Sequence, residues 1–362
     1  MENSGVVVEA DQKDKDPSQE LSLVRELGQG HLSRVFLALH RMSKELYAVK
    51  VVRKPSLFQR VGAFKLALRE KDILSSLDHP FLPSLFTHFE SDNYIFLATK
   101  YCSGGDMSML RLRQPNQTFS VSATRFYAAE VVLALEYLHK KGIVYRDLKP
   151  KNILVQDSGH IILTDFDLSL RLSSIQQKET EKLLSNSRPR IGECSKDSDG
   201  CSSQRSHSLV GTKEYMAPEI LWNTGHAFPV DWWSLGIVLY EMVYGRTPFC
   251  GANRKETFYN ILCKDPFFTG PFSTLQDLIE KLLVKEPSRR LGTARGAEEV
   301  KTHHFFHGLR WEELEFVSRP PLIPSNFSSD QCSVSSQQRG LIPNENFSAN
   351  SCNPQDSIFQ HF

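Results

Sequence analysis

No run of apolar residues in this 362-residue sequence approaches the roughly 18 needed to span a bilayer. Its start, MENSGVVVEADQKDKD, lacks the basic and then apolar pattern of a secretory leader. These two absences predict a soluble chain that is not secreted and has no integral membrane association. An excess of one charge is missing too. Forty-three Lys and Arg against 42 Asp and Glu leave a net +1, too weak a field to hold nucleic acid or an anionic membrane surface wholesale. No nucleic-acid partner is expected, and partners must be recognised at local sites. The seven cysteines include no Cys-x-x-Cys pair, which fits a reducing compartment and argues against a disulfide framework. Nor is there an internal repeat in the roughly 20–50-residue range. What is present is enough side chain for a real core: 40% hydrophobic and 23% charged residues, a balance that suits one large domain or two lobes with tails.

Composition divides the chain. Residues 1–20 are polar and acidic without a periodic face, and are predicted to be disordered. From Leu21 to Tyr101 the runs LSLVREL, RVFLALH, ELYAVKVV and YIFLATKY are β-branched or aromatic and separated by turn residues, the pattern of strands. One helix is predicted among them, from Phe64 to Leu77. Leu66, Ile73 and Leu77 form its inward stripe, and Glu70 stands in that stripe. A carboxylate on an apolar face requires a partner. After Tyr101 helices dominate: SVSATRFYAAEVVLALEYLHKKG begins with the capping residue Ser120 and ends at Gly142. ILVQDSGHIILTDF reads as a hairpin turning at Asp157-Ser158-Gly159, and Asp231–Tyr244 as a helix buried on all sides. Residues 171–207 are rich in Ser and charge and read as a mobile insertion. Residues 318–356 return to Ser, Asn, Pro and Gln.

Gly28-Gln29-Gly30 lies between two strand-like runs. It can be a plain hairpin turn, or a loop whose backbone N–H groups approach a phosphate without Cβ interference. A dinucleotide fold would want a helix next and an acid about 20 residues on. Lys50 arrives instead, inside a strand run, where a lone lysine would ordinarily send its ammonium to water. The glycines, Lys50 and Glu70 explain one another if Lys50 pairs with Glu70 and so meets nucleotide phosphates.

Tyr145-Arg146-Asp147-Leu148-Lys149-Pro150-Lys151-Asn152 is followed, thirteen residues after Asn152, by Asp165-Phe166-Asp167. In order and spacing these segments resemble the catalytic and metal-binding loops of the protein kinases. Gly211-Thr212-Lys213-Glu214-Tyr215-Met216-Ala217-Pro218-Glu219 is similar to the end of a kinase activation segment. Tyr145, the HHFFHGLRWEEL segment and the terminal Phe359-Gln360-His361-Phe362 resemble the AGC class. Asp167 and the insertion resemble its plant branch, with UNICORN-like and oxidative-signal-inducible members.

The resemblance implies an α+β, bilobal protein kinase fold over 21–307. A small β-rich N-lobe (21–101) and a large helical C-lobe (102–307, with the insertion 171–207) are followed by an AGC tail, 308–362. It implies a serine/threonine kinase that moves the γ-phosphoryl of Mg²⁺-ATP to protein hydroxyls. Asp147 would accept the hydroxyl proton, Lys149 would steady the phosphoryl group, and Lys50 and Glu70 would complete the catalytic set. Asn152 and Asp165 would hold Mg²⁺. Leu27, Gly28, Gly30, Val35, Ala48, Lys50, Thr99, Lys100, Cys102, Asp106 and Leu154 would bind ATP. Glu219 would pair with Arg290, and Asp231 would tie down the catalytic loop, with an exposed helix cap as its alternative.

Regulation is expected at Ser208, with Ser206 the second choice, through a phosphate that pairs with Arg146. Phe359 and Phe362 are expected to dock in a groove on the small lobe or on an upstream phosphoinositide-dependent kinase, unless the two rings are incidental. Three departures stand out. Ser33 replaces a third glycine, so looser ATP binding is expected; Asp167 should restrict the hinge after Asp165. Lys151 replaces an acid and should weaken selection for an upstream arginine, while Glu241 remains to receive a basic side chain. The competing class is a catalytically silent scaffold, against which all the catalytic side chains are present. A cytoplasmic location is expected, with nuclear entry left open.

Overall fold

The computed structural model of the chain describes residues 20–30, 33–54, 63–173, 212–223, 227–317 and 321. They fall into two compact units. The first is a five-stranded antiparallel sheet: β1 (Leu21–Gln29), β2 (Ser33–His40), β3 (Leu46–Arg53), β4 (Leu85–Glu90) and β5 (Tyr94–Lys100), in the order β1-β2-β3-β5-β4. Side chains alternate across a strand, so each strand divides its residues between two faces. Phe36, Ala38, Val49, Val51, Phe96 and Ala98 share one face and, with Leu21, Tyr47 and Tyr94, form its core. β4, which the strand signals did not announce, is an edge strand in which half-buried and exposed residues alternate.

The second unit is mostly helical. It contains Leu68–Ser84 and the described chain from Cys102 onward, so Leu68–Ser84 belongs to the helical unit although strands flank it in sequence. The reason lies in the partners of this segment. Phe81 O accepts from Leu163 N at 3.0 Å, Asp78 N donates to Tyr137 Oη at 2.9 Å, and Ser76 O accepts from Lys141 Nζ at 2.9 Å. The expected helix is α1 (Ala63–Leu74), which stops three residues early, although Leu77 is still buried. α2 (Met107–Leu112) and α3 (Val121–Lys140) follow. Ser120 caps α3 as expected, its Oγ accepting from Ala123 N at 3.2 Å, and Gly142 supplies the φ of 71° that turns the chain away.

Two short ladders frame the chain between the large helices. β6 (Ile143–Val144) pairs with β9 (Leu170–Arg171), and β7 (Ile153–Val155) with β8 (Ile161–Leu163) in the expected hairpin. Arg171 pairs with Ile143 and Leu172 N donates to Gly142 O at 2.8 Å, so order persists past the expected start of the insertion at 171. α4 (Pro218–Leu221) precedes α5 (Pro229–Tyr244). Pro229 opens α5 and Gly245 ends it with φ 73°; Trp232 and Trp233 are fully buried within it. Arg254–Cys263, Thr274–Leu282 and Ala297–Lys301 are further helices, and the chain passes into a 3-10 turn at Trp311–Phe316. Among the described residues no helix is long and apolar enough to cross a membrane.

Candidate active site

The stretch between β6 and β7 carries Tyr145 to Asn152, and a buried acid from α5 holds it. Asp231 is fully buried. Its Oδ2 accepts from Tyr145 N at 2.9 Å and His139 Nε2 at 2.8 Å, and its Oδ1 from Arg146 N at 2.7 Å. The tie to the loop expected from sequence is therefore present, and the exposed-cap alternative is not. Arg146 takes φ 68°, a left-handed conformation that costs a non-glycine residue about 1–2 kcal/mol. Ser169 Oγ donates to Tyr145 O at 3.2 Å and Arg146 Nε to Leu168 O at 2.6 Å, so the stretch after Asp165 is fastened to the same loop.

On this loop Asp147 is nearly buried, and its Oδ2 accepts from Lys149 Nζ at 2.7 Å and Asn152 Nδ2 at 2.8 Å. Asn152 Nδ2 also donates to Asp147 O at 2.9 Å. Burial pushes the Asp147 carboxyl above the usual carboxylate range; Lys149 pulls it back, and the Asp165 charge adds to the rise. Asp147 and Arg146 line a small cleft together with Thr212, Tyr215 and Ser234. Arg146 Nη1 is buried without a hydrogen-bond partner among the described residues. Burial, and secondarily the nearby charge of Arg69, bring the Arg146 guanidinium down to about 10.

Asp165 does not stand alone. Carboxylate oxygens of Glu70, Asp165 and Asp167 lie within 4.8 Å of one another, a hard-oxygen set of the kind that suits Mg²⁺. Asn152 lends its nitrogen to Asp147, which leaves its amide oxygen for a cation. Asp167, which sequence reasoning treated as a stiffener of the hinge, is thus a member of an acidic cluster. The positive φ of 62° falls on Asp165, and Asp167 has none, so position 167 carries no steric demand for glycine.

The expected ATP residues fall on both units. In the sheet, Gly28 pairs with Val35, Val35 with Lys50 and Lys50 with Leu97, while Ala48 pairs with Thr99. This register puts Val35, Ala48, Lys50 and Thr99 on one face, opposite the apolar core. Leu27 sits at a break in register between Glu26 and Gly28. At Gly28 an added Cβ would meet no protein atom within 4 Å, and φ is not positive there, so neither packing nor backbone strain demands a glycine. Gly30 N donates to Ser33 O at 2.8 Å, closing the turn between β1 and β2. Lys100 ends β5 and is exposed; Cys102 is buried in the helical unit. There Asp106 and Leu154 form an isolated antiparallel bridge, and Asp106 Oδ1 caps α2 by accepting from Met109 N at 2.9 Å. Lys50 is half-buried in the sheet unit, and Glu70 is buried in the helical unit.

Two ion pairs organise the chain after the insertion. Arg290 and Glu219 meet as expected, bidentate at 2.6 and 2.9 Å, and Arg290 is fully buried. Glu241 corrects an expectation. Rather than waiting for a substrate cation, it accepts from Tyr215 Oη and lies 3.4 Å from Arg111 Nη2, both inside the helical unit. A buried carboxylate needs such partners, and these come from 130 and 26 positions away in sequence. Lys151 is exposed. Ser208, Ser206, Phe359 and Phe362 lie outside the described residues.

Comparison with known proteins agrees with this geometry. The family described as protein kinase domain matches residues 21–306. The serine/threonine-protein kinase UCN of Arabidopsis thaliana is 42% identical, over 90% of this chain and 89% of its own. From the same plant, UCNL is 44% identical over 82% of each chain, and OXI1 is 42% identical over 84% of this chain and 79% of its own. The chain belongs to the protein kinase family, as a serine/threonine-protein kinase of the AGC class with plant relatives.

Proposed function

We propose that Asp147, Lys149, Asn152 and Asp165, with Lys50 and Glu70, carry phosphoryl transfer from ATP to protein serine or threonine. The observation that supports this most is the state of Asp147. Its Oδ2 is engaged by Lys149 and Asn152 on a loop pinned by Asp231, which leaves Oδ1 to take the proton of an incoming hydroxyl. Lys149, bound to Oδ2 of the same carboxylate, neutralises charge as it develops on the transferring group. Lys50, on the sheet face opposite the core, is the proposed partner of the phosphates, and the bare backbone at Gly28 gives them room. Asp165 and Asn152, with Asp167 alongside, would hold Mg²⁺, which would supply positive charge for the phosphate oxygens. With so loose a transition state, the work of the chain is positioning. The test is phosphotransfer by wild type against Asp147→Asn, with folding checked by circular dichroism. A loss of about 10²–10⁴-fold is expected, and equal signal from both would point to a scaffold.

The same reading extends to control. The buried Nη1 of Arg146, without a hydrogen-bond partner among the described residues, suits a phosphate on the activation segment, for which Ser208 is the candidate and Ser206 the second. Ser208→Ala should abolish activation, and wild-type activity from it would remove the switch. Phe359 and Phe362 are proposed to dock with an upstream phosphoinositide-dependent kinase. Removing Ser357 to Phe362 should then lower activity or phosphorylation by that kinase. With Glu241 engaged internally and Lys151 exposed, an arginine two residues upstream of the acceptor should be weakly selected. Strong selection in a peptide library would contradict this.

A further inference from the structure

His160 precedes β8, and both of its ring nitrogens face oxygen. Nδ1 lies 2.5 Å from Glu130 Oε1, and Nε2 lies 3.0 Å from the carbonyl oxygen of Val317. Glu130 is fully buried on α3, and its Oε2 accepts from Ile161 N at 3.0 Å. Val317 directly follows the 3-10 turn, at the root of the C-terminal segment. A carbonyl oxygen only accepts, so Nε2 must carry a proton. The short Nδ1–Oε1 contact needs a second, whichever of the two atoms holds it.

We propose that Glu130 and His160 form a protonation-dependent clasp that fastens the chain at Val317 to α3 and the β7–β8 hairpin. When the shared proton leaves, one N–H must serve two acceptors. The ionised Glu130 is the stronger acceptor and is buried, so it keeps the N–H, and a bare nitrogen then faces Val317 O. The surroundings favour the closed state. Glu130 is the one charged side chain against the ring among the described residues; Phe81 and Phe126 flank it at centroid distances of 6.0 and 5.9 Å, and Ser158 Oγ accepts from the His160 backbone at 3.4 Å. The bond to Glu130 holds the imidazole above its ordinary range, against the effect of burial. The sign follows: a raised pKa keeps the clasp closed at low pH and opens it as pH rises through that pKa. The clasp stands whether or not the chain transfers phosphate.

Hydrogen exchange on the full chain tests this. Labelling times are scaled between pH 6 and 9 for intrinsic exchange, a peptide covering 312–317 is followed, and a peptide from α5 serves as control. In wild type the opening of 312–317 should grow by up to about tenfold per pH unit between the ordinary imidazole range and the raised pKa of the clasp, the limit for one linked proton, and level off above it. In His160→Gln, which cannot titrate, it should be flat. The same slope in both proteins, or no slope in wild type, would overturn the clasp. Should His160→Gln lose protection in α5, the wild-type ring ¹⁵N shifts of His160 decide. A titration that tracks the exchange supports the clasp, and a ring that stays doubly protonated to pH 9 refutes it.

Discussion

Asp231→Asn is nearly isosteric, yet it should disable the catalytic loop. The carboxylate accepts three bonds: from Tyr145 N and His139 Nε2 at Oδ2, and from Arg146 N at Oδ1. An asparagine can present its oxygen to the first two donors, but its NH₂ then confronts Arg146 N–H. A stranded buried donor costs about 1–3 kcal/mol, and two charge-assisted bonds reduced to neutral ones lose about 1 kcal/mol each. The Arg146 backbone, held at φ 68°, can recover about 1–2 kcal/mol by relaxing. The net loss is then about 1–4 kcal/mol, and the relaxation moves Asp147, the next residue. A displacement of about 1 Å at a reacting group costs about 10²-fold in rate. Trp232 and Trp233, buried beside Asp231 on α5, report unfolding of this unit by fluorescence in urea. Steady-state phosphorylation of a peptide reports the rate. A variant within about 0.5 kcal/mol of wild-type stability, with unchanged kcat, would refute the idea that Asp231 holds the loop.

Glu219→Ala strands the buried Arg290 guanidinium and should cost about 3–5 kcal/mol in urea titration, whereas replacing both partners by apolar residues should recover much of it. Equal losses in the single and double variants would contradict this. Because burial raises the Asp147 pKa and the reaction uses its ionised form, kcat/KM should fall as pH drops through that raised value. Lys149→Met removes the charge that lowers the pKa, so the acid limb should move to higher pH; an unmoved limb would separate Lys149 from Asp147. Asp167→Gly removes a carboxylate from the cluster with Glu70 and Asp165. It should raise the Mg²⁺ concentration for half-maximal activity by about tenfold, and an unchanged requirement would exclude Asp167 from the metal site.

Much of the site is written locally. Asp147, Lys149 and Asn152 fall within six consecutive positions, so short-range backbone geometry brings Lys149 Nζ and Asn152 Nδ2 to one carboxylate oxygen. Ser120, Gly142, Pro229 and Gly245 mark helix ends through their own conformational preferences and caps, which act within a turn. β4 escaped because an edge strand buries little: Thr87 stands inward and Phe86 outward, so no apolar run identifies it.

The cap positions, the spacing of the catalytic motif and every element order but that of β4 were determined by the sequence alone, since each depends on neighbours a few residues apart. Which charge meets which was decided by the tertiary structure. Asp231 reaches the loop from some 85 positions away, Arg111 takes up Glu241, and Glu130 waits for His160. Asp167 joins Asp165 and Glu70 only once helix and loop have packed. A buried charge must find a partner, but desolvation does not say where along the chain that partner lies; packing does.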